Sequence, residues 1–169
     1  MPPSVLRAMR VEDVAIVMDV QEPASVAGLS GVFPQDTHPF PRDVLADRWR
    51  EEIADPEIEC FVILRDGEIA GFAAVSGAEV KHFGVALEEW GSGLAHAAHD
   101  ELLERMGTAG VERPWLRVYA ANPRGRAFWE KVGWADTGER APGAMPPHAA
   151  QLIYAYDAGS SASGPSVAT

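Results

Sequence analysis

The sequence is short of positive charge. Its 14 Lys and Arg stand against 25 Asp and Glu, leaving a formal net charge of −11 over 169 residues. A general grip on nucleic acid needs clustered Lys and Arg, so that class is disfavoured, as is docking on an anionic membrane. The acidity favours solubility, and it would also draw a cationic amine toward the surface. Cysteine is nearly absent. Cys60 has no second cysteine to pair with, and it lies in the apolar run Cys60-Phe-Val-Ile-Leu64, which marks a buried thiol rather than a nucleophile. No apolar run approaches the ~18 residues that cross a bilayer. The first ten residues, Met1-Pro-Pro-Ser-Val-Leu-Arg-Ala-Met-Arg10, lack the apolar stretch of a signal peptide. The expected location is the cytoplasm.

The length suits one ordinary domain, expected over residues 1–158, and 47% hydrophobic residues can fill its core. A short strand is predicted at Val5 to Met9, then a helix from Glu12 or Asp13 to about Asp19. Residues 22 to 41 hold Pro23, Pro34, Pro39 and Pro41 and read as a long irregular loop. A helix from about Pro41 to Ala54 follows, with Leu45, Trp49 and Ile53 on one face. Two strands, Cys60 to Arg65 and Glu68 to Val75, flank the hairpin signal Asp66-Gly67. Further elements are a strand from Glu79 to Leu87, a helix from Gly91-Ser-Gly93 to Met106, and a strand from Trp115 to Ala120. Asn122-Pro123 reads as an N-cap with proline in the first turn of a helix ending at Val132. Strands near Trp134 to Glu139 and Gln151 to Tyr156 close the pattern. The small polar residues Gly159 to Thr169 are expected to be a disordered tail. The order β-α-α-β-β-β-α-β-α-β-β predicts an α/β or α+β sheet with helices on both faces. Trp49 and Trp115 are expected in the core.

Chemistry concentrates in two places. In Val85-Ala-Leu-Glu-Glu-Trp-Gly-Ser-Gly-Leu-Ala95 a strand ends and a Gly-x-Gly pair opens an amphipathic helix. Glycines let backbone N–H groups approach phosphate oxygens, and the helix N-terminus adds partial positive charge, so the arrangement suits a diphosphate. The same pair also serves as a plain tight turn, so it does not decide alone. A Rossmann site would need a third glycine, and a Walker A loop would need Gly-Lys-Ser/Thr. The second place is Leu116-Arg-Val-Tyr-Ala-Ala-Asn122 followed by Pro-Arg-Gly-Arg-Ala-Phe-Trp-Glu-Lys-Val-Gly-Trp134. Strand, Asn, short helix and Gly-aromatic strand in succession form a far more particular pattern.

Together these segments resemble the two cofactor motifs of the GNAT acetyltransferase superfamily: Gln/Arg-x-x-Gly-x-Gly/Ala, then an Asn-opened helix with an aromatic-Tyr-Glu-Lys run ending in Gly-Phe. The similarity spans roughly residues 4 to 156 and is motif-specific over 83 to 134. It implies a mixed, mostly antiparallel sheet and an acetyl-CoA-dependent N-acetyltransferase. Its partner would be an amine of a small molecule or peptide, attacking directly in a ternary complex. It implies no metal, and homodimers are common among such proteins. Phe83, Gly84 and Val85 would splay from the neighbouring strand and meet the pantetheine arm, with the Val85 N–H polarising the thioester carbonyl. Gly91, Ser92, Gly93, Leu94, Ala95 and His96 would wrap the diphosphate, Asn122 would contact the pantetheine, and Arg124 or Arg126 would lie near the adenosine phosphates.

This chain departs from the pattern twice. Trp90 stands where the motif has Gln or Arg. Trp129 stands where many relatives carry a tyrosine that protonates the leaving thiolate, and an indole N–H is too weak an acid for that. Trp129 is therefore expected as a wall of the cofactor site. A glutamate used by some relatives would fall at 117, which is Arg117 here. For the base that deprotonates the amine, Glu79 and His82 are the candidates. Alternating parity puts Glu79 on the face of Val85 and His82 opposite. His96 and His99, beside Asp100, are spaced for a metal but lack a third strong ligand in sequence. Phe33, His38 and Phe40 are candidates to line the acceptor pocket, or simply pack on the core. Two other readings remain: an acyl-CoA-binding module without catalysis, and a nucleotide-binding module using the glycine turn.

Overall fold

A computed structural model describes residues 3–157; the expected tail lies outside the described residues. Seven strands form one sheet: β1 (Leu6–Ala8), β2 (Glu59–Arg65), β3 (Glu68–Ser76), β4 (Glu79–Val85), β5 (Trp115–Tyr119), β6 (Trp134–Pro142) and β7 (Ala150–Tyr156). Their order is β1-β2-β3-β4-β5-β7-β6. Every pairing is antiparallel except β4 with β5. The four helices are α1 (Val14–Gly28), α2 (Arg42–Ala54), α3 (Leu94–Thr108) and α4 (Pro123–Lys131). The predicted element order and mixed sheet are those observed.

The side-chain period of two along each strand divides the core into two layers. Phe72 and Ala74 of β3 pack with Val14, Val17, Met18, Leu45 and Trp49 of α1 and α2. Ala73 and Val75 face the other way, against Leu94, Ala98, Leu102 and Trp129 of α3 and α4. The β2–β3 turn behaves as Asp66-Gly67 predicts, with φ of 53° and 82°, the left-handed pair of a type I′ turn.

Three expectations need correction. First, α1 does not stop near Asp19 but runs through Pro23 to Gly28, so the irregular connection is only 29–41. Proline removes one helical hydrogen bond, but Val14, Val17, Met18 and Gln21 bury one face, and Gln21 Oε1 accepts from the Trp49 indole at 2.8 Å. Tertiary packing outweighs the local break. Second, Trp115 is half-buried rather than core, with the Arg117 guanidinium 5.5 Å from its ring. Third, β4 carries a bulge. Ala74 pairs with His82 and Val75 with Val80, leaving Lys81 as the extra residue. A bulge inverts the alternation beyond it. Val80 and Val85 therefore share the α3/α4 layer. Glu79 lies opposite Val85, on the same side as His82.

His99 holds α3 in place. Its buried ring accepts from the Trp134 indole at Nε2 (2.9 Å), and Nδ1 lies 2.9 Å from Asp100. It is thus engaged in the core rather than presented to a metal with His96. Burial lowers its pKa, with Asp100 opposing in part. A depressed histidine pKa makes the fold bind fewer protons than the unfolded chain. Its contribution is complete above about pH 6.5 and declines as pH falls from there toward the folded-state pKa. His99→Gln keeps an acceptor for Trp134 without the titration. Its urea midpoint should fall less between about pH 7 and about pH 5 than that of the native chain.

Candidate active site

Among the described residues, the only parallel pair is also the shortest. β4 and β5 are in register at Glu79–Trp115 and Val80–Leu116 and nowhere beyond. From Lys81 onward the two strands part, opening a wedge toward their C-terminal ends. The polarity of its wall follows from the β3 ladder. The Ala86 N–H donates to Ala70 O at 2.8 Å, so residues 82, 84 and 86 bond to β3. The backbone groups of Phe83 and Val85, alternating with them, point toward the missing partner. Gly84 is required by space, since a Cβ there would stand 2.6 Å from the Phe72 ring.

At the open end, Gly91 and Gly93 have φ of 83° and 93°, and a Cβ on either would meet nothing. They are glycine for backbone conformation, and the space above them is free. Gly93 is the N-cap of α3 without a side-chain cap, so the first-turn N–H groups of Leu94, Ala95 and His96 lie at a positive helix end. Ser92 Oγ accepts from the Leu94 N–H (3.2 Å) and donates to Glu89 Oε1 (2.7 Å). Arg65 pairs with that carboxylate at 2.7 Å. Its hydrogen bond, with that of Ser92, holds the Glu89 carboxyl below the usual carboxylate range. Arg65 thus offsets the Glu89 charge beside the turn.

Across the wedge, Asn122 Oδ1 caps α4 by accepting from the Gly125 N–H at 3.0 Å. Of the two arginines considered for the adenosine phosphates, Arg126 is held inward by the Tyr154 hydroxyl (3.2 Å), whereas Arg124 stacks 3.8 Å over the Trp90 ring. Trp90 belongs to the β4–α3 connection and Arg124 to the first turn after β5, so their contact joins the two lips of the wedge. Trp129 is buried, with its ring 5.3 Å from Phe83 and 5.0 Å from Phe128. Its indole N–H has no partner among the described residues, yet it is not sealed from the surface.

The two candidate bases are placed unequally. Glu79 sits at the closed end of the wedge, 3.8 Å from Arg117 Nε. His82 sits on the unpaired stretch, with its Nε2 2.8 Å from Glu52 Oε1 of α2 and its ring 4.9 Å from that of Trp49. Glu52 is 9% exposed and escaped sequence analysis. The available signal was a carboxylate three residues after Trp49, on the apolar face of α2. Tyr119 of β5 joins the same side, where its ring meets Phe33 at 5.5 Å and burial raises its pKa. Phe40 packs on the α1/α2 core, while His38 is half-buried, with its Nδ1 3.0 Å from the Thr37 hydroxyl. A separate hollow of about 440 Å³ lies on the outer face of β5, β7 and β6, between Arg113, Trp115, Arg117 and Arg140. It borders the closed end and shares no residue with the glycine turn.

Asn122→Ala should destabilise the fold by ~1 kcal/mol through loss of the α4 cap, read as a shift of the urea midpoint at constant slope.

The comparisons agree with this geometry. A family model described as Acetyltransferase (GNAT) family matches residues 26–134. A GCN5-related N-acetyltransferase from Rhodopseudomonas palustris superposes with a TM-score of 0.73 at 17% identity, over 93% of this chain and 98% of that one. Spermidine N-acetyltransferase from Vibrio cholerae, in complex with CoA and spermine, gives 0.68 at 16% identity, over 90% and 94%. The ribosomal-protein-S18-alanine N-acetyltransferase of Escherichia coli gives 0.65 at 18% identity, over 90% and 92%. No curated protein matches the chain in sequence. With the family model covering most of the chain, and the broken β4–β5 ladder and glycine-opened α3 inside the matched span, the chain belongs to the GNAT family of acetyltransferases.

Proposed function

We propose that the chain is an acetyl-CoA-dependent N-acetyltransferase acting on the amine of a small molecule or peptide by direct attack in a ternary complex. The observation that carries this reading is the unpaired stretch of β4. Its Phe83 and Val85 polar groups face an opening with the α3 N-terminus at its mouth. Buried backbone groups are almost always paired, and an extended amide-bearing arm such as pantetheine supplies the partners that β5 withholds. Gly91, Ser92, Gly93, Leu94, Ala95 and His96 hold the diphosphate. Asn122, whose Oδ1 is used in the cap, offers its amide N–H groups to the arm. The net charge of −11 favours a cationic acceptor, as does the likeness to a structure holding spermine. A cytoplasmic location belongs to the same reading.

The thioester supplies an activated carbonyl. The chain's part is to orient it, polarise it through the Val85 N–H, and take a proton from the amine. The nitrogen forms the new C–N bond and the C–S bond breaks. Starting from an ammonium, nitrogen loses two protons: one ends on the departing thiolate and one passes to solvent through a base on the chain. A thiol pKa near ~8.5 makes the thiolate a tolerable leaving group without a strong acid. Trp129 then excludes water, and its indole N–H can donate a hydrogen bond but not a proton.

A screen of amines against acetyl-CoA tests the reaction through release of free CoA. An acyl-CoA-binding module without catalysis is favoured by one feature, the tryptophan at 129, and would bind acetyl-CoA yet release no CoA. Gly93→Val should keep the helical circular dichroism signature and lower the urea midpoint, because a φ of 93° strains a β-branched residue. It should also lose at least about tenfold in acetyl-CoA affinity by calorimetry, since both the turn and the space for phosphate are disturbed. Unchanged affinity in a folded variant would rule out the glycine turn as the diphosphate site. Trp129→Phe should keep most of the turnover and Trp129→Ala should raise KM for acetyl-CoA. A large fall in kcat for Trp129→Phe alone would give the indole N–H a part in the chemistry.

A further inference from the structure

We propose that Glu52 and His82 form a carboxylate–imidazole dyad in which Nδ1 of His82 takes the proton from the acceptor amine and Glu52 is the positioning residue. The inference rests on the N-acetyltransferase reading and assigns its base. Nε2 of His82 is 2.8 and 3.2 Å from the two oxygens of Glu52. A carboxylate only accepts, so Nε2 carries the hydrogen and the lone pair of a neutral ring is left on Nδ1. That atom has no partner among the described residues and is not sealed from the surface. The ring is fixed from a second direction by Trp49, whose own indole is anchored on Gln21 at 2.8 Å. His82 lies on β4 next to the stretch whose backbone faces the wedge, whereas Glu79 lies where β4 and β5 are still paired.

The electrostatics agree with that protonation pattern. Burial lowers the His82 pKa, and Arg48 and Lys81 lower it further against the opposing pull of Glu52. Burial alone would raise the Glu52 carboxyl, but His82, Arg48 and Lys81 together hold it below its ordinary value. The pair therefore stands as neutral imidazole and carboxylate. Cys60 of β2 lies within electrostatic reach of Glu52, and burial pushes its thiol up to about 11. Tyr119 of β5 lies beside Arg48, with its pKa raised by burial. Glu79 shares the His82 side of β4 and is turned to Arg117 at 3.8 Å. Cys60 and Tyr119 are uncharged at neutral pH. In the step itself, the amine N–H bond breaks, its proton bonds to Nδ1, and the positive charge created on the ring is balanced by Glu52 across Nε2. The proton then leaves to solvent, restoring the neutral ring.

The test uses the intact chain and the best acceptor from the amine screen. Glu52→Gln should lower plateau kcat by at least about tenfold, with acetyl-CoA affinity unchanged. It should also move the acid limb of kcat/KM to lower pH, because the carboxylate that raises the His82 pKa is gone. Glu52→Asp should recover part of the rate. His82→Gln should remove the acid limb, and adding Glu52→Gln to it should cost little more, since the two groups act as one unit. A merely structural Glu52 would change stability but leave the pH profile in place. Transfer by the native chain with an unchanged profile in Glu52→Gln overturns the dyad alone; absence of transfer to any amine overturns the reaction itself. Nitrogen NMR of the His82 ring decides the geometry independently of turnover. A neutral ring with hydrogen on Nε2 is expected at neutral pH, and hydrogen on Nδ1 would refute the assignment.

Discussion

The structure turns on a ladder that stops too early. β4 and β5 share two residue pairs and then separate, although both continue as strands. A strand edge in the middle of a sheet is costly, because its N–H and C=O groups have left water without finding partners. Here the edge is held open by packing on both sides. On one face the Phe83 ring lies against Phe128 and Trp129 of α4, the helix that follows β5. On the other, His82 is drawn to Glu52 and Trp49 of α2. α3 must start where β4 ends, so its positive end falls at the mouth of the opening. The outward-turned backbone groups of β4 and the position of the α3 N-terminus both follow from this one interruption.

Under the proposed function, the same interruption would separate cofactor recognition from proton handling. Groups that would hold the cofactor are mostly backbone: the turned-out amides of β4 and the first turn of α3. Groups that would handle the acceptor are side chains on the α1/α2 face, where Glu52, His82, Arg48 and Tyr119 come from α2, β4 and β5. If the diphosphate is held by backbone groups, as proposed, Trp90 can stand in place of the motif's Gln or Arg. It lends its ring to Arg124 and does not disturb the glycine turn.

Much of the local geometry of the candidate site was legible because its signals are local. Gly91-Ser-Gly93 and Asn122-Pro123 act through the φ of one residue or the cap of one turn, and such constraints are written in neighbouring positions. The Asp66-Gly67 hairpin is of the same kind. The Glu52–His82 contact was not legible, since the two residues lie thirty positions apart and meet only because α2 packs on the sheet. The side of β4 on which Glu79 lies was misread because a single extra residue, Lys81, reverses the alternation, and a bulge leaves no mark in composition. The course of α1 past Pro23 was misread because the buried contacts of Gln21 and Met18 outweigh a local helix breaker.

By itself, then, the sequence determined the order of elements, the hairpin, the glycine turn, the capped α4 and the resemblance to acetyl-CoA enzymes. Each depends on residues within a few positions of one another. Tertiary structure alone decided where β4 leaves β5, which face each β4 side chain takes, which arginine reaches the mouth of the opening, and that a buried carboxylate stands behind His82. Those outcomes depend on the register of one strand against another and on helices packed across it. A one-residue change in that register exchanges the inner face for the outer.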